Sequence, residues 1–169
     1  GCEPSTHKML SAFSQASMIH VADPDFDEHR FREDLNMHTS TSPQYAMIAS
    51  LDVARKQMSM EGYAQLSRCI GIASKLREGI AQTGAFRVLE LPDMLPEELV
   101  DDGIKLDPTK LSIDVSASGM SARDLQLSLF EDFGIQVEKV THNTLSVLVT
   151  LGSTQSKVLR LLKALRELA

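Results

Sequence analysis

The sequence predicts an α/β protein in which a helix-rich first part leads into a small α+β domain with a largely antiparallel sheet. Three observations carry this expectation. From Phe86 onward, short apolar runs and amphipathic stretches follow in the order strand, strand, helix, strand, strand, helix, the pattern of a sheet covered on one side by helices. Between Pro43 and Gly84, two apolar seams run at helical spacing. The 169 residues are 43% apolar and 24% charged, enough chain and enough apolar content to bury a core.

In the first part, residues 16–21 (Ala-Ser-Met-Ile-His-Val) form a short apolar run closed by the turn-forming Asp23-Pro24-Asp25, which predicts a buried strand. A polar stretch over residues 26–35 follows. The segment Thr39-Ser40-Thr41-Ser42-Pro43 supplies hydroxyls and a proline just ahead of Met47, Leu51, Ala54 and Met58. Ser42 is the expected N-cap and Pro43 the first helical residue. A second helix is expected with Leu66, Ile70, Ala73, Leu76 and Ile80 on one face, ending at Gly84.

The character of the sequence changes at Thr83-Gly84, which divides the chain into residues 1–83 and 84–169. In the latter, residues 86–91, 111–115, 135–140 and 145–151 read as strands. One helix opens at Ser121, where Asp124 completes a capping-box-like pattern, turns Leu125, Leu129 and Phe133 inward, and ends at Gly134. The last begins near Ser153-Thr154 and turns Val158, Leu161, Leu162, Leu165 and Leu168 inward. Thr141-His142-Asn143-Thr144 is the expected hairpin, and residues 92–108, rich in prolines and acids, an expected surface excursion.

Seventeen Lys and Arg against 23 Asp and Glu leave a net charge of −6, which repels phosphate backbones and argues against nucleic acid as a partner. Cys2 and Cys69 lack CxxC spacing, so neither a zinc site nor a disulfide framework is expected. No apolar run approaches the ~20 residues that span a bilayer, and no signal-peptide pattern opens the chain. A soluble, cytoplasmic protein without a membrane partner is the expectation.

One segment has a chemically pointed arrangement: Ser5-Thr6-His7-Lys8, ahead of the apolar Met9 and Leu10. A lysine amine becomes a nucleophile toward aldehydes when partly desolvated or crowded by cations. Flanking hydroxyls and an imidazole are suitable donors to a phosphate-bearing aldehyde such as pyridoxal phosphate.

With these residues go Ser14-Gln15-Ala16-Ser17-Met18-Ile19-His20-Val21 and Met37-His38-Thr39-Ser40-Thr41-Ser42-Pro43, with Ala49-Ser50 beyond. Together they resemble the bacterial pyridoxal-phosphate-dependent ornithine/lysine/arginine decarboxylases, of the aspartate-aminotransferase-like fold. Weaker likeness continues through Asp107-Pro108-Thr109-Lys110 and residues 133–138 into the final Leu-rich helix. The resemblance implies that residues 1–83 are the end of a PLP-binding, transferase-like large domain with its connecting helix, and residues 84–169 the small C-terminal domain. It implies that Lys8 is the catalytic lysine, holding pyridoxal 5'-phosphate as a Schiff base and moving a proton after carbon dioxide leaves. It also implies that Ser5 and His7 grip the cofactor, and that Ser40 reaches the phosphate of a neighbouring subunit's cofactor, making the active site a property of a homodimer. The implied reaction is decarboxylation of a basic amino acid to a diamine or polyamine. The sequence departs from the family at Pro4, where a glutamine is usual, and at Gly1-Cys2-Glu3. Family members have several hundred residues ahead of the lysine, so activity is expected only in a completed chain. Residues 1 to about 60 are expected to pack loosely or to be completed by another chain. The rival expectation is a catalytically inactive interaction or regulatory module.

The remaining polar residues read more plainly. His20 is expected to be a hydrogen-bonded structural histidine, His29 and His142 solvated, and His38 either a phosphate donor or a solvated residue. Asp52 is expected to be an exposed acid on a helix, the acids between Glu97 and Asp102 a solvated loop, and Cys69 a half-buried, inert thiol. The eight methionines read as adaptable packing rather than metal ligands.

Overall fold

The computed structural model describes residues 6–99 and 101–169. The chain divides into two compact units, Gly1–Tyr63 and Ala64–Ala169. One helix, α3 (Tyr45–Ala81, 37 residues), contributes to both. Its length corrects the expectation of two helices. No proline interrupts it, and its glycines, Gly62, Gly71 and Gly79, each cost only about 1 kcal/mol and stand too far apart to break the helix together. It starts at Tyr45 rather than Pro43, after Ser42 N–H has bonded Ser40 Oγ at 3.2 Å in a local turn.

The first unit contains α1 (Thr6–Met9), α2 (Glu28–His38) and the N-terminal part of α3. Asp27 caps α2 by accepting from the Arg30 N–H at 2.9 Å. The strand expected over residues 16–21 does not form among the described residues. The segment is extended, with one bridge residue at His20, and only Ala16 is buried while Ile19 and Val21 are 48% and 40% exposed. A strand needs a ladder to satisfy its backbone, and residues 6–63 supply no second one. His20 is likewise exposed instead of structural. Ala16 and Ala54 are the buried apolar residues here, while Phe13, Met37, Tyr45, Val53, Met60 and Tyr63 stand in solvent. The unit is thinly packed, as its sequence led one to expect.

The second unit carries the core. After α3 come β1 (Arg87–Val88), α4 (Leu91–Met94), a 3-10 turn (Glu97–Leu99), β2 (Lys110–Asp114), α5 (Ala122–Glu131), β3 (Lys139–Val140), β4 (Thr144–Leu148) and α6 (Gln155–Glu167). The four strands lie in the order β1-β2-β4-β3, antiparallel throughout, with Ser112 opposite Ser146 and Ile113 opposite Leu145 at the centre. Alternation decides the faces: Leu111, Ile113, Val115, Leu145 and Val149 turn inward, and Lys110, Ser112 and Asp114 turn outward. Ser121 caps α5 through its Oγ, and Thr154 caps α6. The tight link between β3 and β4 closes with Thr141 N–H donating to Thr144 O at 2.9 Å. Among the described residues no helix is long and apolar enough to cross a membrane.

The C-terminal part of α3 belongs to this core. Cys69, Ile72, Ala73, Leu76 and Ile80 share one buried cluster with the sheet, α5 and α6, whereas Leu66 and Ile70, expected in the seam, are each 42% exposed. The compact unit therefore begins at Ala64, ahead of the change in sequence character at Thr83-Gly84. Cys69 is fully buried rather than half-buried, its Sγ–H donating to Thr150 O at 3.3 Å.

At one edge of the sheet an ion-pair network holds β1 and α4. Arg87 Nη1 donates to Asp93 Oδ1 at 2.7 Å, Glu90 N–H donates to Asp93 Oδ2 at 2.8 Å, and Arg77 Nη1 meets Glu90 at 2.6 Å. The Glu90 N–H first, and then the Arg87 guanidinium, hold the Asp93 carboxyl below its ordinary value. A carboxyl depressed on folding adds stability above its unfolded pKa and loses it as pH falls through the folded one. Asp93→Asn is thus expected to melt below the parent chain at neutral pH, the gap closing as pH falls through and below the ordinary carboxylate range; melting curves across the acid range check it.

The core also predicts how the chain divides experimentally. Deleting one buried Leu or Ile costs about 2–5 kcal/mol against a total stability of about 5–15 kcal/mol. Residues 64–169 should melt cooperatively in isolation, while residues 84–169, lacking Ile72, Leu76 and Ile80, should not; circular dichroism melts of the two pieces decide it.

Candidate active site

Of the predicted site residues, His7 and Lys8 are brought together on the single turn of α1. Lys8 is exposed, and its amine makes no hydrogen bond or ion pair among the described residues. His7 is half-buried, with Nδ1 3.3 Å from Ala16 O. A carbonyl only accepts, so this contact puts the ring proton on Nδ1 and leaves Nε2 as the free nitrogen. Neutral, His7 offers an acceptor there; protonated, it offers a second donor. Ser5 lies outside the described residues. Ser40 is exposed, and its hydroxyl accepts from the Ser42 N–H; among the described residues no hydrogen bond joins it to α1.

What fixes α1 is a relay that the sequence reading did not find. Ser50, on α3 and 7% exposed, donates its hydroxyl to Met47 O at 2.7 Å and accepts from the Phe13 N–H at 3.0 Å. Phe13 opens a turn over residues 13–16, closed by Ala16 N–H to Phe13 O at 3.1 Å. Its third residue, Gln15, has φ of 72°, and it is the non-glycine residue in the left-handed region among those described. The turn carries the Ala16 carbonyl back to His7. Thr6, 2% exposed at the start of α1, anchors the same corner. Ala49-Ser50 was visible in the sequence as part of the motif pattern, but its use as an anchor was not. A serine inside a helix can bond back to the preceding turn and keep a lone pair for another segment.

The groups on α1 are of the kind a phosphate-bearing aldehyde uses: an exposed amine on Lys8 beside an imidazole on His7. His7 serves a phosphate only as a cation or through a shared proton, because its one neutral N–H is spent on Ala16. His29, His38 and His142 are exposed, and Asp52 pairs with Arg55 at 2.8 Å on the solvent side of α3, a surface role. Among the described residues no cluster of three or more His, Cys, Asp or Glu could hold a metal ion.

The motif Ser-X-His-Lys lies in a mixed α/β chain with an antiparallel C-terminal sheet, and the class of protein this makes is a question of relatedness. Comparison with known proteins narrows it. Residues 2–157 match the family model described as Orn/Lys/Arg decarboxylase, major domain, and the chain belongs to that family. The arginine decarboxylase of Bacillus cereus is 32% identical over 98% of this chain, and the lysine decarboxylase of Hafnia alvei 32% identical over 96%. The chain spans 35% and 26% of those two relatives. Among solved structures, the Francisella novicida lysine decarboxylase LdcF superposes with a TM-score of 0.80 at 29% identity, over 98% of this chain and 27% of that one. The constitutive lysine decarboxylase of Escherichia coli gives 0.77 at 28% identity, over the same shares. A NifS-like protein, 19% identical, shares the fold over 76% of this chain and 34% of its own, with a TM-score of 0.57. The family is pyridoxal-phosphate-dependent.

The relay predicts its own loosening. Ser50→Ala removes the acceptor of the Phe13 N–H, a loss of about 1 kcal/mol. Hydrogen exchange at the Phe13 amide should speed up severalfold, with exchange across β2 and β4 unchanged.

Proposed function

We propose that this chain carries the lysine-bearing part of a decarboxylase acting on a basic amino acid, ornithine, lysine or arginine, to give a diamine or polyamine precursor. The observation that supports it most is the coincidence of the family match with an exposed Lys8 amine on α1 that meets no competing partner among the described residues. The chain spans about a third or less of its relatives, so the activity is assigned to Lys8 within a chain of their length.

The bound cofactor would supply an electron sink for the carbanion left when the α-carboxylate departs. Lys8 Nζ would hold the cofactor through its aldehyde carbon and, when not so engaged, would give or take the proton at the substrate's α-carbon. Ser5 and His7 hold and orient the phosphate and ring, and the relay through Ala16 and Ser50 keeps His7 from swinging away. Ser40 donates its hydroxyl to the phosphate in a neighbouring subunit, so the working unit is a homodimer, acting in the cytoplasm. Ser40 is free for this because it lies on an exposed turn.

A second reading, an inactive module that pairs with full-length subunits, draws on the apolar side chains the first unit leaves in solvent, Tyr45, Met60 and Tyr63 among them. One experiment separates the two. The chain is mixed with pyridoxal phosphate, reduced with borohydride, and its peptides are mapped by mass spectrometry. Selective labelling of Lys8, abolished by Lys8→Ala, supports the lyase reading; in an enzyme of full family length the same substitution should lower decarboxylation about 10³-fold or more. Labelling spread evenly over surface lysines in both the chain and the full-length enzyme overturns it.

A further inference from the structure

Apart from α1, the second unit contains a cavity of about 310 Å³ between α6, the end of β4 and the turn after α5. Its floor is apolar, made by Leu76, Ile135, Val149 and Leu161, and its polar lining includes Ser153, Lys157 and Arg160. Among the described residues no Asp or Glu lines it. The volume is at the small end of ligand pockets and suits a body on the order of ten heavy atoms.

The two cations are held in place without being neutralised. Arg160 Nε donates to Phe133 O at 2.9 Å and Nη2 to Phe133 O and Gly134 O, leaving Nη1 uncommitted. Gly134 makes this possible: its φ of 58° ends α5, and a Cβ there would lie 2.7 Å from Arg160 Nη2. Lys157 Nζ donates to Gly152 O at 3.1 Å and keeps two further N–H groups. Carbonyls carry no charge, and neither side chain forms an ion pair among the described residues, whereas Arg32, Arg55, Arg77 and Arg87 each do. In a chain of net charge −6, two solvent-exposed cations, each hydrogen-bonded to carbonyls and without an ion pair among the described residues, thus line one cavity beside its apolar floor. The first turn of α6, a 13-residue helix, adds its positive end.

We infer that this cavity binds a small monocarboxylate with an apolar body, the tail on the Leu76–Leu161 floor and the carboxylate between Lys157 and Arg160. The site is separate from the Lys8 chemistry and does not depend on it. A neutral molecule of the same shape forgoes the charge-assisted bonds, and a bare inorganic anion forgoes the floor.

The test is a nuclear magnetic resonance titration of the ¹⁵N-labelled chain with hexanoate, in parallel with hexanol and inorganic phosphate. The expected result is saturable shifts confined to Gly134, Ser153, Lys157 and Val158, with hexanoate binding about tenfold or more tighter than either control. Lys157→Gln, a surface change that should leave the melting temperature in place, should weaken hexanoate about tenfold, and Lys157→Arg should restore it. Shifts spread over the whole surface, equal binding of hexanol or phosphate, or an affinity indifferent to Lys157→Gln would overturn the assignment.

Discussion

The second unit depends on the packing of Leu162, on α6, over Gly79 on α3. A methyl group at that position would lie 2.6 Å from both Cδ atoms of Leu162, which is itself buried, so any larger residue there has to displace that side chain. This packing brings Leu76 and Ile80 into one cluster with Leu161, Leu165 and the inward face of the sheet. It outweighs the cost of about 1 kcal/mol that glycine imposes inside a helix. Arg68 reinforces the same junction by donating to Leu151 O and Ser153 O in the loop that leads into α6.

The first unit is organised on a different principle. Its large apolar side chains stand mostly in solvent, and its geometry is set by hydrogen bonds: Ser50 to Phe13, Phe13 to Ala16, Ala16 to His7. Single hydrogen bonds contribute about 1 kcal/mol each, so this corner holds its shape far less firmly than the core of the second unit does. Gln15 in the left-handed region adds strain of about 1–3 kcal/mol. Lys8 follows His7 at the end of this relay, so a few polar contacts position it, and its side chain is exposed.

Much of the second unit was legible beforehand. Ser121, Asp124 and Gly134 bracket α5 where they were expected to, Thr154 caps α6, and the turn at Thr141-His142-Asn143-Thr144 joins two antiparallel strands. These are local signals, in which capping hydroxyls and left-handed glycines act within a few residues of where they sit. The strand expected over residues 16–21 failed because a strand is not a local object. Its backbone needs a neighbouring ladder, and its apolar pattern says nothing about whether one is present. The split of α3 into two helices failed for the opposite reason: apolar residues lie on more than one face of the helix, so the seams at Met47 and Leu66 looked separate when only the backbone joins them.

The candidate site divides along the same line. The order Ser5-Thr6-His7-Lys8 and the hydroxyl run around Ser40 are written in the chain, and with them membership of the decarboxylase family. The sequence by itself also determined the helix caps, the alternation of the strands and the chemistry available at each position, because these follow from residue type and spacing. Only the tertiary structure decided that Ser50 anchors the turn behind His7, that Cys69 is core, that Gly79 admits Leu162, and that Lys157 and Arg160 line one cavity unpaired. The first three join residues between 37 and 83 positions apart, and the cavity brings α6 beside the turn after α5; such pairings are settled by packing in space, which spacing along the chain does not encode.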